Sequence, residues 1–195
     1  MDQLAFEHMV LSCPLLERLT LMNFDGFVLL NIRAPNLLFF DVGGVFEEVS
    51  FQDTFNLSVV SIGLYAKTGV ERKVAFGNSG NLVKFFACLP HIQRLEVQSF
   101  FLKARAEEQA SVGTNANIAD NLHSFSFNRL RVIKIVGIFG TRQELDFISF
   151  MLANAPVLEK MTVKPASMDS GWELLKELLR FRRASTFAEI VYLDP

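Results

Sequence analysis

The sequence predicts an α/β solenoid of parallel strands, and two observations lead to that fold class: a repeated motif and the helix signals between its copies. Apolar residues follow the pattern P-x-L-x-x-L-x-[LVI] in six segments of the 195-residue chain, and four of its six prolines begin a segment. The six copies begin at Pro14, Pro35, Phe55, Pro90, Asn128 and Pro156. Repetition at spacings of about 20–40 residues is typical of solenoids, in which stacked repeats share one core.

Each copy of the motif predicts one strand. In the first copy, Leu19 and Leu21 lie two residues apart, which places both side chains on one face of a strand. Leu16, three residues before Leu19, is expected to turn inward before the strand begins. The leading proline lacks a backbone N–H and suits the entry of a strand better than its middle. The predicted strands lie near residues 18–22, 38–42, 58–62, 93–97, 131–136 and 160–164, with a seventh at 188–193.

Helix signals between the copies place helices on the outer side of the strands. Thr141 and Glu144 form a capping box that opens an amphipathic segment. A second capping box, from Ser170 to Glu173, opens a helix with four leucines on its expected buried face. These leucines are Leu174, Leu175, Leu178 and Leu179. Asn81 is the expected N-cap of a third helix, which ends at Cys88.

Composition excludes several classes of function. The net charge of −2 gives no case for a nucleic-acid partner or an anionic membrane. The longest uncharged stretch, residues 54–66, is shorter than the span of about 20 residues that crosses a membrane. The chain does not open with a cationic segment and an apolar run, and its two cysteines make no disulfide framework. The sequence therefore predicts an intracellular protein of the cytoplasm or nucleus, with neither membrane nor nucleic acid as a partner.

The reactive side chains are too scattered to predict chemistry. His8, His91 and His123 do not lie at metal-ligand spacing with Cys13 or Cys88. Both cysteines adjoin prolines of the motif, where small buried residues are expected. The chain contains neither the G-x-S-x-G nucleophile elbow nor the G-x-x-x-x-G-K-[ST] phosphate loop. We therefore predict a protein without a catalytic, cofactor-binding or metal site, and a small enzyme or ligand-binding protein is the alternative.

Residues that alternate with the inward leucines form the predicted functional surface. Arg18, Thr20 and Met22 are expected to point outward on the first strand, and the equivalent pairs of the other strands stack beside Arg18 and Thr20. Seven such residues are predicted to bind a partner protein: Arg18, Phe39, Asp41, Arg94, Glu96, Lys134 and Lys160. The alternative is that neighbouring strands, or the long polar segment 103–124, cover the outward apolar residues.

Two segments resemble a known family. The first copy of the motif, CPLLERLTL, resembles the leucine-rich repeats of plant F-box proteins. The segment NRLRVIKIVGIFGTRQELDFISFMLANAPVLEKMTV, which begins at Asn128, resembles the FBD domain that follows those repeats, and AEIVYL at 188–193 is similar to its usual ending. The resemblance implies a leucine-rich-repeat-like solenoid, and the small, polar composition of residues 103–124 predicts a flexible loop within it, which gives three parts. They are a leucine-rich-repeat region at 1–102, a flexible loop at 103–124, and an FBD-like domain at 125–195 that continues the stack.

The resemblance also implies a role in protein recognition. In that family the repeats are taken to recognise a target protein, and an N-terminal F-box binds the Skp-type adaptor of a cullin–RING (SCF-type) ubiquitin ligase. The sequence shows no F-box-like segment before Leu11, so binding of the adaptor is expected only of a longer form that carries an F-box. Two hypotheses follow. The chain is either the substrate-recognition part of such a ligase, or a truncated or decoy repeat protein that binds a target without ubiquitination.

Overall fold

In the part of the chain that the structure describes, seven parallel strands form one sheet in chain order. The computed structural model describes residues 3–64, 86, 88–98, 126–167 and 171–195. The strands are β1 (Arg18–Arg33), β2 (Phe39–Gln52), β3 (Val59–Leu64), β4 (Arg94–Gln98), β5 (Val132–Ile138), β6 (Lys160–Pro165) and β7 (Glu189–Tyr192). Each strand pairs in parallel with the next. The predicted α/β stack of parallel strands is confirmed, including the seventh strand.

A β-turn opens each copy of the motif. In the first copy, the backbone N–H of Leu16 donates to the carbonyl of Cys13 at 3.0 Å. The same turn recurs between Leu158 and Ala155 at 3.2 Å. The proline therefore occupies the second position of a β-turn, where its fixed φ is favoured and its missing N–H is not needed. This turn is the physical reason for proline at the head of the motif.

The residue just before each strand sets the register of the stack. The carbonyl of Glu17 accepts from the backbone N–H groups of Leu38 and Phe39, at 2.8 and 3.1 Å. The carbonyl of Arg131 accepts in the same way from Glu159 and Lys160. Because a one-residue slip in register would turn every inward side chain outward, this repeated contact fixes which residues face the core.

The inward residues of the motif form the core. Leu19 and Leu21 on β1 are buried, as are Leu95 and Val97 on β4 and their counterparts on the strands between and beyond. Ile92 and Leu158, which precede β4 and β6, are also buried. Each turn of the solenoid, from one copy of the motif to the next, is called a coil, and Leu16 packs against the core in the first coil. The predicted inward positions of the motif are confirmed.

β1 and β2 each fold back on themselves. β1 has 16 residues and would be about 50 Å long if straight. Residues 34–38, which join it to the start of β2, span only about 20 Å even when extended. The chain of β1 therefore reverses near Met22–Phe27, where the pairing with β2 shifts twice and Asn23 takes a φ of 54°. Asparagine tolerates this left-handed conformation better than most residues.

A contact between two rings confirms the fold-back in β2. Phe40 and Phe51 lie in the same strand, and a straight strand would hold them about 36 Å apart. Their ring centroids are 5.2 Å apart in an edge-to-face arrangement. In the first two coils the outer side is therefore a second stretch of strand, where the sequence analysis expected helices.

Among the described residues, two helices cover the outer side of the sheet after β5. α2 (Arg142–Asn154) opens with the predicted capping box, in which the backbone N–H groups of Thr141 and Phe139 donate to Glu144 at 2.8 and 3.1 Å. α3 (Gly171–Arg180) packs against α2. Leu174 and Leu178 on α3 are buried as predicted, and Leu175 is half-buried. The prediction for Leu179 was wrong: it is 67% exposed, because it lies on the opposite side of the helix from the core.

α1 (Gln3–Leu11) closes the first coil. It packs against β1 and buries Phe6 and Val10, while Leu4 and Leu11 are exposed. The carboxylate of Glu7 accepts from the side-chain amides of Gln3 and Asn31, at 3.1 and 2.9 Å, and the second bond joins α1 to β1. A terminal repeat must shield an otherwise open core, and α1 meets that need.

Other predictions were wrong or fall outside the described residues. Cys13 and Cys88 are exposed, although small buried residues were expected there, because both lie at the turns that lead into the motif. The helix expected at 81–88 is described only at Phe86 and Cys88, and Ser170 of the second capping box lies outside the described residues. The loop at 103–124 and His123 lie outside them too.

Candidate protein-binding face

Strand alternation places a continuous set of side chains on the exposed face of the sheet. The register of the strands stacks them in three columns. The first column is Arg18, Phe39, Val59, Arg94, Val132, Lys160 and Glu189. The second column is Thr20, Asp41, Ser61, Glu96, Lys134, Thr162 and Val191. The third column is Met22, Gly43, Gly63, Gln98, Val136 and Lys164.

All seven residues predicted to bind a partner lie on this face. Four of them occupy the first column and three the second, and each is exposed or half-buried. Adjacent strands are about 4.8 Å apart, so neighbours in a column are close enough to contact one group of a partner. The structure brings the seven residues onto one surface, and their role in binding stays a prediction.

Aromatic and cationic side chains combine at the start of the first column. The guanidinium carbon of Arg18 lies 4.0 Å from the centroid of the Phe39 ring. This cation–π contact holds the ring and the charge together on the surface. The column continues with Val59, so the first three strands present an apolar strip with one cation at its edge.

The second column carries an ion pair. Lys134 Nζ lies 2.6 Å from Glu96 Oε1, and both side chains are about 40% exposed. The pair follows directly from the register, which sets Glu96 of β4 beside Lys134 of β5. At such exposure the pair contributes little to stability, about 0–1 kcal/mol, but it fixes the direction of both side chains.

Positive charge predominates on the face of the later strands. Arg94, Lys160 and Lys164 form no salt bridge or side-chain hydrogen bond with any residue that the structure describes. Arg94 and Lys160 stand on either side of Val132 in the first column. A protein with a net charge of −2 thus presents a local cationic patch around an apolar residue. Such a patch favours contact with acidic groups on a partner.

A depression interrupts the face between β1 and β4. Gly43 and Gly63 are adjacent in the third column and have no side chains to fill the surface. The depression has a volume of about 210 Å³, and its walls include Met22, Asp41, Ser61, Glu96 and Gln98. The Gln98 amide lies over Gly63, where an added Cβ would come within 2.9 Å of its Nε2 atom.

The sequence analysis did not identify this depression. The predicted outward positions extended to Met22 on the first strand but stopped at the seventh position of the motif on the other strands, whereas the alternation continues two residues further on β2 to β6 as well. Glycines at the same register on two neighbouring strands were the available signal, because paired glycines leave a gap in an otherwise filled face.

The described residues offer no other arrangement that points to chemistry. Among them, no group of three or more His, Cys, Asp or Glu side chains is placed to hold a metal ion. In the same part of the chain, no helix is both long and apolar enough to cross a membrane.

Comparisons with known proteins agree with this architecture. Residues 128–163, which run from the turn before β5 through α2 to β6, match the family model FBD. In an alignment of 254 positions, the chain is 27% identical to an F-box/FBD/LRR-repeat protein of Arabidopsis thaliana. The alignment covers 97% of this chain. The resemblance to plant F-box/FBD/LRR-repeat proteins is confirmed. The chain spans 59% of the length of that relative, and no solved structure matches it.

Proposed function

We propose that this chain recognises a target protein through the exposed face of its sheet, as the substrate-recognition part of an F-box/FBD/LRR adaptor of a ubiquitin ligase. One observation carries the proposal. One side of a seven-stranded sheet forms the core, and the other presents three columns of mixed charged and apolar residues in register. Solenoids use such extended faces to bind proteins.

The face has the composition of a protein interface. Arg18 and Phe39 form a cation–aromatic pair, and arginine and aromatic residues are enriched at interfaces. Val59 and Val132 add apolar contact, and Arg94 and Lys160 supply charges for orientation. The target therefore has an acidic, partly apolar surface opposite β4 to β6.

The test is capture of targets by the tagged chain, identified by proximity labelling in plant cells. The double variant Arg94→Glu, Lys160→Glu is expected to lose the targets that the unmodified chain labels, because both substitutions oppose an acidic partner. Thermal stability is expected to change little, since both residues are exposed. The matched control is Arg142→Glu, Arg180→Glu on α2 and α3, which changes the charge equally but lies off the face. Equal loss in the control, or unchanged labelling in the face variant, would contradict the proposal.

The link to the ligase is a second proposal. We propose that these 195 residues alone do not bind the Skp-type adaptor, and that an F-box in a longer form of the protein makes that contact. The support is that α1 is engaged in closing the first coil through Phe6 and Val10. Co-purification with the purified adaptor is expected to fail for the chain alone and to succeed when an F-box is fused ahead of it. Stoichiometric binding by the unmodified chain would show that it contains its own adaptor site.

A further inference from the structure

We infer that the depression between β1 and β4 receives an arginine side chain of the target protein. This inference rests on the proposed recognition role and names one contact within it. The depression, of about 210 Å³, is smaller than the roughly 300–1,000 Å³ of sites that hold small-molecule ligands. One amino-acid side chain is the occupant that its size suits.

The charges of its walls select a cation. Asp41 and Glu96 stand on either side of Ser61 in the second column, two strand spacings or about 10 Å apart. Asp41 forms no salt bridge or side-chain hydrogen bond with any residue in the described part of the chain. Glu96 binds Lys134 through Oε1, and a carboxylate has about four acceptor positions, so it can accept further donors. The depression therefore holds one uncompensated negative charge.

The spacing favours arginine over lysine. Ser61 is small, so the space between the two carboxylates stays open, with its hydroxyl at the centre. A guanidinium group has five N–H donors in a planar fork and contacts several acceptors at once, whereas an ammonium group is a compact point charge. Met22 at one end of the depression supplies apolar contact for the methylene stem.

The two halves of the face thus have opposite preferences. The depression near β1 to β4 accepts a basic side chain, while Arg94, Lys160 and Lys164 favour acidic groups. A target segment that crosses the strands can satisfy both only in one direction. This complementarity determines the orientation of the bound segment as well as its affinity.

The direct test is titration of the isotope-labelled chain with the capped peptide Ac-Gly-Arg-Gly-NH2, followed by amide chemical shifts. Saturable shifts are expected at Gly43, Ser61, Gly63 and Gln98, and they should weaken as salt is raised. The peptide with citrulline in place of arginine keeps the shape and removes the charge, and it is expected not to bind. Equal binding of citrulline, equal binding of the lysine peptide, or no shift at these amides would overturn the inference.

Two variants test separately the negative charge of the depression and its open volume. Asp41→Asn removes the uncompensated charge, and Ser61→Leu fills the gap while leaving both carboxylates in place. Asp41→Asn is expected to weaken binding of the arginine peptide by about tenfold or more, the usual value of a hydrogen bond to a charged group. Ser61→Leu is expected to weaken it too, because the larger side chain occupies the space of the guanidinium group. Asp146→Asn on α2 makes the same change of charge off the face and should leave binding unaltered. A loss in Asp146→Asn as large as in Asp41→Asn would attribute the effect to net charge and overturn the inference.

The peptide titration and the target-capture experiment can fail independently of each other. If the Arg94→Glu, Lys160→Glu variant loses its targets while the arginine peptide does not bind, the face recognises proteins and the depression takes no arginine. If the peptide binds at Gly43 and Gly63 while that variant captures targets normally, the arginine site stands and the cationic half of the face has another role.

Discussion

The first two coils and the coil between β5 and β6 are built on the same motif but close their outer sides differently. In the first two coils the outer side is strand, with Leu30 and Ile32 or Val49 and Phe51 turned into the core. Between β5 and β6 it is the helix α2. The motif therefore fixes the inner sheet and its register, while the outer side needs only an apolar row that faces inward.

Coil length explains which outer element forms. The spacing is 21 residues from Pro14 to Pro35 and 20 from Pro35 to Phe55, against 28 from Asn128 to Pro156. A strand rises about 3.3 Å per residue and a helix only about 1.5 Å. The return path has a similar length in every coil, so a helix needs roughly twice as many residues to cover it. The two coils of about 20 residues close with strand, and the coil of 28 residues closes with helix.

The largest loss of stability is expected on substitution of Phe40. This residue is fully buried on the inner part of β2, and its ring contacts Phe51 on the outer part. Phe40→Ala should cost about 3–5 kcal/mol in the free energy of unfolding, measured by denaturant titration, because it leaves a cavity between the two sides of the coil. Phe55→Ala is the matched control: Phe55 is 69% exposed, and a change within about 0.5 kcal/mol is expected. A cost below about 1 kcal/mol for Phe40→Ala would mean that the two sides of β2 are not coupled.

Alanine substitution of one buried leucine from the first coil and one from the later coils compares the stability of the two regions. Leu158 lies in the later coils and is completely buried, whereas Leu19 is 8% exposed in the first coil, next to α1. Both substitutions to alanine should destabilise the protein by about 2–5 kcal/mol, with Leu158→Ala at the upper end and Leu19→Ala at the lower. Thermal or denaturant unfolding measures the difference. A larger cost at Leu19 would show that the first coil, closed by α1, carries more of the stability than its burial indicates.

The inner strands were predictable from the sequence because strand periodicity is local and the motif recurs. The outer strands were missed because they lie between copies of the motif, in segments that the sequence analysis assigned to the outer side as helices. The short spacing from Pro14 to Pro35 was a signal, since 21 residues leave less chain for an outer helix than the 28 residues from Asn128 to Pro156. The fold-back itself depends on Asn23 and the register shifts beside it, which no periodicity reveals.

The candidate site, too, could be predicted from the sequence only in part. Alternation placed the seven predicted residues on one face, and the equal offsets of the copies fix the pairing of Glu96 with Lys134. The contact of Arg18 with Phe39 also follows from that register. The depression was missed because it is defined by missing side chains, at Gly43 and Gly63, and becomes visible only when neighbouring strands are aligned.

The outer helix depends on its cap, which the outer strands do not need. Glu144 is fully buried and accepts from the backbone N–H groups of Phe139 and Thr141. Glu144→Ala should cost about 1–3 kcal/mol, because two partly buried backbone N–H groups lose an acceptor, and Thr141→Ala about 0.5–2 kcal/mol. The loss should appear first as faster amide exchange in α2, while β1 and β2 stay protected. Asp146→Ala on the same helix removes only an exposed salt bridge and should cost at most about 1 kcal/mol.

The smallest effect is expected where α1 meets the first coil. Hydrogen bonds from Gln3 and Asn31 lower the pKa of Glu7 below its ordinary value of 4.5. Because the folded pKa is depressed, the stabilisation is fully present above pH 4.5 and is lost as the pH falls through the lower folded pKa. Glu7→Gln removes the titrating group, so its free energy of unfolding should fall less than that of the unmodified chain between pH 6 and pH 3. The later coils have no part in this contact, so the amides of α1 and β1 should be the first to lose protection in acid. Identical acid profiles for the two proteins would mean that the bond from Asn31 to Glu7 does not hold α1 on the stack.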